Sequence, residues 1–231
     1  MQPSTHMNEI RRVPTGRAVN ASRANAVNGD SLIQSMHLMG ATMAYPRDTE
    51  IFGENEPADY LYKVLSGTVR TYKILSDGRR QVGGFYLPGD IFGLEFADEH
   101  TLSAEAISDA KVLVIKRSAL TALAARDPSV AQQLFALTGR ELHRVQDRTL
   151  LLIKNARERV ASFLLEMAER ASENNTIELP MSRQDIADYL GLTIETVSRT
   201  FTRFERDGVI EIVHGGICML DQARAEALAA A

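Results

Sequence analysis

The sequence predicts an α+β fold in which an N-terminal jelly-roll β-barrel is followed by a long dimerisation helix and a C-terminal winged helix-turn-helix. Short strand-like segments separated by Gly and Asp turns, a pattern typical of jelly rolls, fill the first half of the chain. A long helical segment follows, and two capped helices and a hairpin pattern lie near the C-terminus. We expect a mobile arm at 1–30, a barrel domain at 31–127, the dimerisation helix at 128–155 and the winged module at 156–231.

The composition limits the class of protein. The chain has 231 residues, of which 45% are hydrophobic and 24% are charged, as expected of a globular protein with one or two domains. No stretch has the length of a membrane span and no signal-peptide pattern opens the chain, so we expect a cytoplasmic protein. The net charge of −4 argues against a protein that coats nucleic acid nonspecifically, but not against local positive charge. The single cysteine, Cys218, excludes an intrachain disulfide and a cysteine-ligated metal site within one chain.

The barrel is predicted from about 45 to 116. Asp77-Gly78 between two strand-like segments is a strong hairpin signal. A short helix is expected from Ser31 to Leu38, before the barrel. The expected strands are 61–65, 69–75, 81–87, 101–107 and 111–115.

A long helix is predicted from Ser129 to Asn155, after the break at Asp127-Pro128. Apolar residues and two threonines recur along it at spacings of three and four, which indicates a dimer seam. The alternative is a helix that packs on its own barrel, for which Leu134, Leu137 and Leu151 are suited. The seam residues are Phe135, Thr138, Leu142, Val145, Thr149 and Leu152. A further helix from Ala156 to Ala171 carries a core stripe of Val160, Phe163, Leu164 and Met167.

The segment 182–208 predicts two helices joined by a tight turn. Ser182 is a good N-cap, and the Asp185 carboxylate can reach back to it. Gly191 can adopt the left-handed conformation that ends a helix, and Thr193 caps the next one. Apolar strand-like residues at 209–213 and 217–220, around His214-Gly215-Gly216, predict the hairpin of a wing.

The second helix predicts a base-contacting surface. Val197, Phe201 and Phe204 share one face, which leaves Glu195, Ser198, Arg199, Thr202 and Arg203 directed outward. Arg can pair with guanine O6 and N7, and Glu can accept from cytosine N4. The alternative is an ordinary amphipathic helix with a solvated charged face.

Specific motifs resemble the CRP/FNR family of transcription regulators over about 31–220. The segment from Ile51 to Val69 is similar to the family's barrel core, and Pro88-Gly89-Asp90-Ile91-Phe92-Gly93 to its "PGDxFG" turn. Glu195-Thr196-Val197-Ser198-Arg199 matches the FNR-type "ExxSR". The resemblance implies a homodimeric, sequence-specific regulator, mainly an activator, whose partners are double-stranded DNA and RNA polymerase.

Departures from the family indicate its FixK-like branch, which has no bound effector. Cyclic-nucleotide binders place an arginine before a Ser/Thr-Ala pair, whereas this chain has Leu102-Ser103-Ala104. Residues 1–40 contain no cysteine for an iron–sulfur cluster, and His100 is expected to be a solvated loop residue rather than a haem ligand. We therefore expect no metal and no cofactor, with Gly89, Asp90 and Gly93 as turn residues. The alternative is a regulator gated by haem or a nucleotide in the barrel.

The resemblance also implies how DNA is recognised and what is controlled. The expected site is an inverted repeat of the TTGAT-N4-ATCAA type, with effector-independent control of microaerobic, anaerobic, denitrification or nitrogen-fixation genes. Base contacts are expected from Ile194, Glu195, Ser198 and Arg199, and phosphate contacts from Ser182, Arg183, Thr193, Thr196 and Arg203.

Three further expectations concern other parts of the chain. Oxidation of Cys218, on the predicted wing, would tune DNA binding, although a small buried hydrophobe is the alternative. The C-terminal alanines resemble a tag for bacterial AAA+ proteases, although a frayed helix, capped by Asp221, is the alternative. The sequence has no G-x-S-x-G, P-loop or H-E-x-x-H motif, so we expect no enzyme activity.

Overall fold

The computed structural model describes residues 32–95, 97–173 and 176–230. The expected arm at 1–30 lies outside these residues. A helix at 32–39 (α1) opens the described part, close to the predicted short helix. Within the described ranges, no helix combines the length and the apolar character needed to span a membrane.

Two four-stranded antiparallel sheets form the barrel. One contains Ala41–Tyr45 (β1), Ala110–Lys116 (β8), Tyr60–Ser66 (β3) and Ile91–Phe92 (β6), in that spatial order. The other contains Thr49–Phe52 (β2), Ser103–Ala106 (β7), Val69–Ile74 (β4) and Arg80–Tyr86 (β5), in that spatial order. Apolar side chains alternate inward from both sheets, as a sandwich core requires.

All five predicted strands are present, with ends that differ by one or two residues. Three strands of the barrel were not predicted, β1, β2 and β6. They are short, and most residues of β1 are exposed, so its sequence lacks the alternation that identifies a half-buried strand. Aromatic rings fill the centre of the barrel: Tyr62 stacks on Phe92 with ring centroids 5.0 Å apart, and Phe52 lies 5.1 Å from Tyr62.

Two helices follow the barrel, Arg117–Ala124 (α2) and Pro128–Leu151 (α3). The predicted break at Asp127 is confirmed, because its carboxylate accepts from the Ser129 amide at 2.8 Å and caps α3. The predicted end at Asn155 is wrong, since α3 ends at Leu151. Asn155 instead begins the next helix, Ala156–Ala171 (α4): its side-chain oxygen accepts from the Arg157 amide at 2.9 Å. Leu152 therefore lies just beyond α3.

The C-terminal module combines helices with a small sheet. Helix Ile194–Arg206 (α6) packs on α4 and on Arg183–Leu190 (α5), and Gln222–Ala230 (α7) packs on α4 and closes the module. Its antiparallel sheet contains Ile210–Val213 (β11), Gly216–Met219 (β12), Thr176–Glu178 (β10) and Ser172–Glu173 (β9), in that spatial order. The predicted stripe on α4 is confirmed as core: Val160, Phe163, Leu164 and Met167 are all buried.

Candidate nucleic-acid interface

The first helix of the pair is held by a reciprocal cap. The Ser182 hydroxyl accepts from the Asp185 amide at 3.1 Å, and Asp185 Oδ2 accepts from the Ser182 amide at 3.0 Å. Gly191 ends α5 in the left-handed conformation, with φ 63°, and the Leu192 amide donates to the Ala187 carbonyl. The predicted helix-turn-helix is therefore confirmed down to its capping residues.

The second helix is anchored by its apolar face. Thr193 caps α6 by accepting from the Thr196 amide at 3.3 Å. Val197, Phe201 and Phe204 are almost completely buried, as the spacing predicts. The Thr200 hydroxyl, which is also buried, donates to the Thr196 carbonyl at 2.7 Å. The orientation of α6 about its own axis is thus fixed by packing.

The four expected base-contacting residues share the exposed side of α6. Glu195, Ser198 and Arg199 are exposed, and Ile194 is 38% exposed in the first turn. An isoleucine exposed beside charged groups costs hydration free energy unless a partner covers it. The structure therefore presents one apolar, one acidic and one basic group side by side at the N-terminal end of α6.

The electrostatics at the N-terminal end of α6 favour the ionised form of the Glu195 carboxylate. The pKa of Glu195 lies below its ordinary value because its own backbone amide and the Thr193 hydroxyl donate to the carboxylate and Arg199 adds a positive charge. At the other end of the helix Arg203 is half exposed and lies 3.7 Å from the Asp207 carboxylate. Such a surface pair is weak, so the Arg203 guanidinium can exchange Asp207 for another anion.

The expected phosphate-contacting residues surround this surface. Ser182, Thr193 and Arg203 are exposed, and Arg183 and Thr196 are half-buried. Arg183 lies flat over Phe201, with the guanidinium carbon 3.5 Å from the ring centroid, and burial lowers its pKa. This stacking was not predicted, because the two residues lie on different helices.

The wing has the predicted hairpin, with Gly215 in its turn at φ 78°. Cys218 is a free, half-buried thiol on β12, where its register partners are Glu211 and Thr176. It is thus neither a fully buried core residue nor an exposed one.

Helix α3 leaves much of its predicted seam uncovered in the single chain. Phe135 is 80% exposed, and Leu142 and Val145 are more than half exposed. Thr149 is exposed and Thr138 half-buried, while Leu152 is exposed in the turn after α3. Leu134 and Leu151, by contrast, pack on the hydrophobic clusters of the chain itself. Helix α3 therefore has both an internal face and an apolar face that none of the described residues covers.

Inside the barrel, the prediction for His100 is wrong. Its side chain is 1% exposed, stacked on Phe52 with ring centroids 3.6 Å apart, and its Nδ1 lies 2.6 Å from Glu95 Oε2. Residues 97–99 before it are exposed, but the His100 side chain itself is part of the core. Asp90 is a turn residue, since it accepts from the Leu87 amide at 2.7 Å, but it also pairs with Arg170 at 2.6 Å.

Several charged residues that connect the two domains were not singled out from the sequence. The main ones are Arg70, Arg80, Arg148, Arg170 and Asp188. Their partners in the other domain lie far away in the chain, so only Arg70, an arginine inside a predicted strand, gives a local signal.

Comparison with known proteins agrees with this architecture. Residues 158–228 match the Crp-like helix-turn-helix domain family, and residues 42–127 match the cyclic nucleotide-binding domain family. The chain is 46% identical over 198 residues to the nitrogen fixation regulation protein FixK of Bradyrhizobium diazoefficiens, covering 84% of each chain. It is 48% identical over 185 residues to FixK of Azorhizobium caulinodans, covering 78% of this chain and 75% of that protein.

A solved structure extends the likeness to the whole architecture. FixK2 from Bradyrhizobium japonicum superposes with a TM-score of 0.80 at 49% identity, covering 83% of this chain and 98% of that one. These matches are to DNA-binding regulators and not to enzymes. The chain belongs to the CRP/FNR family of transcription regulators, in its FixK-like branch.

Proposed function

We propose that this regulator acts as a homodimer, mainly as an activator, on inverted repeats of the TTGAT-N4-ATCAA type. The observation that carries the proposal is the exposed side of α6, where Ile194, Glu195, Ser198 and Arg199 lie together on a helix fixed by caps and packing. In a symmetric dimer, two such helices would enter successive major grooves, about one helical turn apart.

Each base-contacting residue has a distinct role in the proposal. Arg199 pairs with the guanine through two hydrogen bonds, and Glu195 accepts from a base amino group and orients Arg199. Ile194 packs on a thymine methyl group, and Ser198 contacts a neighbouring base. Loss of one such contact should cost roughly 1–3 kcal/mol per half-site.

Phosphate contacts would set the position of the dimer without specifying sequence. Ser182, Thr193 and Thr196 lie at the N-terminal ends of α5 and α6, where backbone amides favour anions. Arg183 and Arg203 add positive charge. Replacing Arg203 with alanine should weaken binding to all sequences alike, and a change in base preference would contradict this role.

The proposed dimer forms through the uncovered face of α3. The seam residues Phe135, Leu142 and Val145 are exposed large apolar groups on a 24-residue helix, which is a costly arrangement for an isolated chain in water. Because a C2 interface uses the same face twice, a second copy can cover this seam with its own.

Effector independence is supported by the interior of the barrel. The stretch Leu102-Ser103-Ala104 lacks the arginine that would meet a cyclic phosphate, and His100 is held against Glu95 and Phe52 instead of standing free. We propose that abundance controls the protein, as a relay for microaerobic, anaerobic, denitrification or nitrogen-fixation genes. The relatives named as nitrogen fixation regulators support this range of targets.

A ligand-gated regulator is the second candidate, because the barrel contains a cavity of about 440 Å³ lined in part by Lys73, Glu95 and Arg148. A cavity of this size can hold a small ligand. A Soret band in the purified protein, or tighter DNA binding after addition of a nucleotide, would favour this candidate.

Three further parts of the proposal concern partners and modification. An activator must contact RNA polymerase. Transcription from a target promoter, measured with purified components, tests this contact.

The C-terminal alanines would be recognised by an AAA+ protease, and unchanged turnover after replacing the last two with aspartate would refute this. Half-buried Cys218 would respond to peroxide, and unchanged DNA affinity after mild oxidation would refute that.

The decisive experiment measures DNA binding without any effector. Fluorescence anisotropy at one fixed salt concentration compares a TTGAT/ATCAA duplex with a TGTGA/TCACA duplex. We expect tight, selective binding to the first, and loss of that tight binding in Arg199→Ala but not in Arg126→Ala, an exposed arginine after α2. Equal or weak binding to both duplexes would contradict the proposal.

A further inference from the structure

Five polar residues join the barrel to the first helix of the helix-turn-helix. We call them the interdomain cluster: Arg70 on β4, Arg80 and Gln81 on β5, and Asp185 and Asp188 on α5. Asp185 Oδ1 lies 2.6 Å from Arg70 Nη1 and 2.6 Å from Arg80 Nη2, and Asp188 Oδ2 lies 2.8 Å from Arg80 Nε. Gln81 donates to the Asp188 carbonyl at 2.6 Å. Both domains thus contribute directly to one hydrogen-bonded group.

The centre of this cluster is shielded from water. The side chains of Arg70 and Asp185 are 10% and 6% exposed, and Glu105 closes the other side of Arg70 at 2.9 Å. Burying charges costs desolvation free energy that their attraction only partly offsets, whereas removing one partner leaves an uncompensated charge. Such a cluster is therefore better suited to fixing one arrangement of the two domains than to adding net stability.

Asp185 has two structural roles at once. Its Oδ2 caps α5 by accepting from the Ser182 amide and hydroxyl, at 3.0 and 2.8 Å, while its Oδ1 accepts from the two arginines. The barrel thus contacts the helix-turn-helix at the residue that begins it. Because α5 packs against α6, a shift of α5 would carry the recognition helix with it.

Contacts with α3 and α4 also fix β5. Arg170 of α4 donates to the Phe85 carbonyl at 2.8 Å and pairs with Asp90, and Arg148 of α3 donates to the carbonyls of Val82 and Gly83. Val82 and Phe85 are themselves members of the hydrophobic core of the C-terminal module. The strand β5 is therefore held by contacts with α3, α4 and α5 together.

We propose that Arg70 and Arg80 are positioning residues that set the separation and tilt of the two recognition helices, and hence the half-site spacing that the dimer accepts. The inference rests on the proposed function. In that dimer α3 joins the two barrels and the interdomain cluster joins each barrel to its own recognition helix. The distance between the two recognition helices then depends on the geometry of the cluster, although no cluster residue touches a base.

The test measures spacing selectivity as well as affinity. Anisotropy is recorded for duplexes with TTGAT half-sites separated by three, four or five base pairs, and for a duplex with one half-site. In Arg80→Gln we expect binding to the four-base-pair site to weaken roughly tenfold, within the usual range of coupling between sites. The preference for that spacing should shrink, while binding to one half-site stays unchanged. Arg70→Met should behave in the same way.

Matched variants separate positioning from loss of charge. Arg79→Gln removes a positive charge from the same hairpin, but Arg79 is exposed and, among the described residues, pairs only with Asp77, so spacing selectivity should stay at the wild-type level. Arg80→Lys keeps the charge and one ion pair, and it should recover part of the selectivity. If the Arg80→Gln variant is dimeric and folded but keeps the full spacing preference, the positioning role is overturned and the proposed function is not affected. A wild-type protein without preference for TTGAT sites would overturn the proposed function, and the inference with it.

Discussion

Ile194 shows how one residue can decide the preferred half-site. It is 38% exposed in the first turn of α6, at the position where the cAMP-type members of the family tend to carry arginine. An apolar side chain suits a thymine methyl, whereas an arginine would pair with a guanine.

Replacing Ile194 with arginine should therefore shift the preference from TTGAT towards TGTGA. We expect a change in the affinity ratio that corresponds to roughly 1–3 kcal/mol per half-site. Anisotropy on the two duplexes measures it, with Ile194→Val as the control that keeps the apolar contact. An affinity ratio that stays the same in Ile194→Arg would show that this residue faces no base.

Glu195 predicts how base recognition depends on pH. Its pKa lies below the ordinary value because of its own backbone amide, the Thr193 hydroxyl and Arg199, so the carboxylate stays ionised under mildly acidic conditions. Its contribution to the stability of α6 is likewise present above the unfolded pKa and is lost only as the pH falls through the lowered folded pKa.

The preference for the TTGAT duplex should thus hold from about pH 8 to about pH 6, well above the ordinary pKa of a glutamate. Anisotropy at constant ionic strength tests this, and Glu195→Gln, which cannot ionise, reports any pH effect from other groups. A wild-type preference that falls by pH 6 while that of Glu195→Gln does not would contradict the assignment.

At the scale of an element, the turn between α5 and α6 depends on one backbone conformation. Gly191 has φ 63°, which residues with a Cβ atom adopt at a cost. The space around it is open, since an added Cβ would find its nearest neighbour, Arg159 Nη1, at 3.6 Å.

Gly191→Ala should therefore destabilise the fold by about 1–2 kcal/mol through backbone strain alone. Gly191→Asn should cost less, because asparagine tolerates the left-handed region. Urea unfolding curves of the three proteins measure the difference. Equal losses for alanine and asparagine would mean that volume, rather than conformation, is limiting.

Helix α3 gives the second prediction at this scale. A charge placed in the seam at Leu142 would have to be buried twice in a symmetric interface, so Leu142→Glu should produce monomers. Arg140→Glu is a matched control, because Arg140 is exposed and lies about half a turn away from the seam at 100° per residue. Sedimentation velocity decides: a Leu142→Glu variant that stays dimeric would exclude this seam.

At the scale of the whole molecule, contacts between residues close together in the sequence could be predicted, and contacts between distant residues could not. The caps of α5 and α6 were predicted because Ser182 and Asp185, like Thr193 and Thr196, lie three residues apart. The pair Arg70–Asp185 spans 115 residues, and the burial of His100 depends on Phe52 of β2, which is distant in the sequence, so neither leaves a local pattern. Five of the eight barrel strands, the helix order and the exposed side of α6 could be predicted, whereas the docking of one domain on the other could not.

The barrel cavity provides the last prediction, because it touches the helix through which a ligand would act. Glu141 and Arg148 of α3 line it together with Tyr86 and Leu102. A ligand bound there would change α3, and through Arg148 the strand that holds the C-terminal module. The cavity has Leu102 where the cyclic-nucleotide binders of the family have their arginine, so cyclic AMP lacks the cation that would offset burial of its phosphate.

Cyclic AMP should therefore change neither the thermal unfolding temperature nor the DNA affinity of the wild-type protein. Leu102→Arg should create a measurable rise in unfolding temperature with cyclic AMP, since a ligand that binds only the folded state stabilises it by about 2.7 kcal/mol at a hundred times its Kd. Leu102→Gln, polar but uncharged, is the control and should show no rise. A rise in the wild type would mean that Lys73 or Arg148 already supplies the charge, and that the barrel gates the regulator after all.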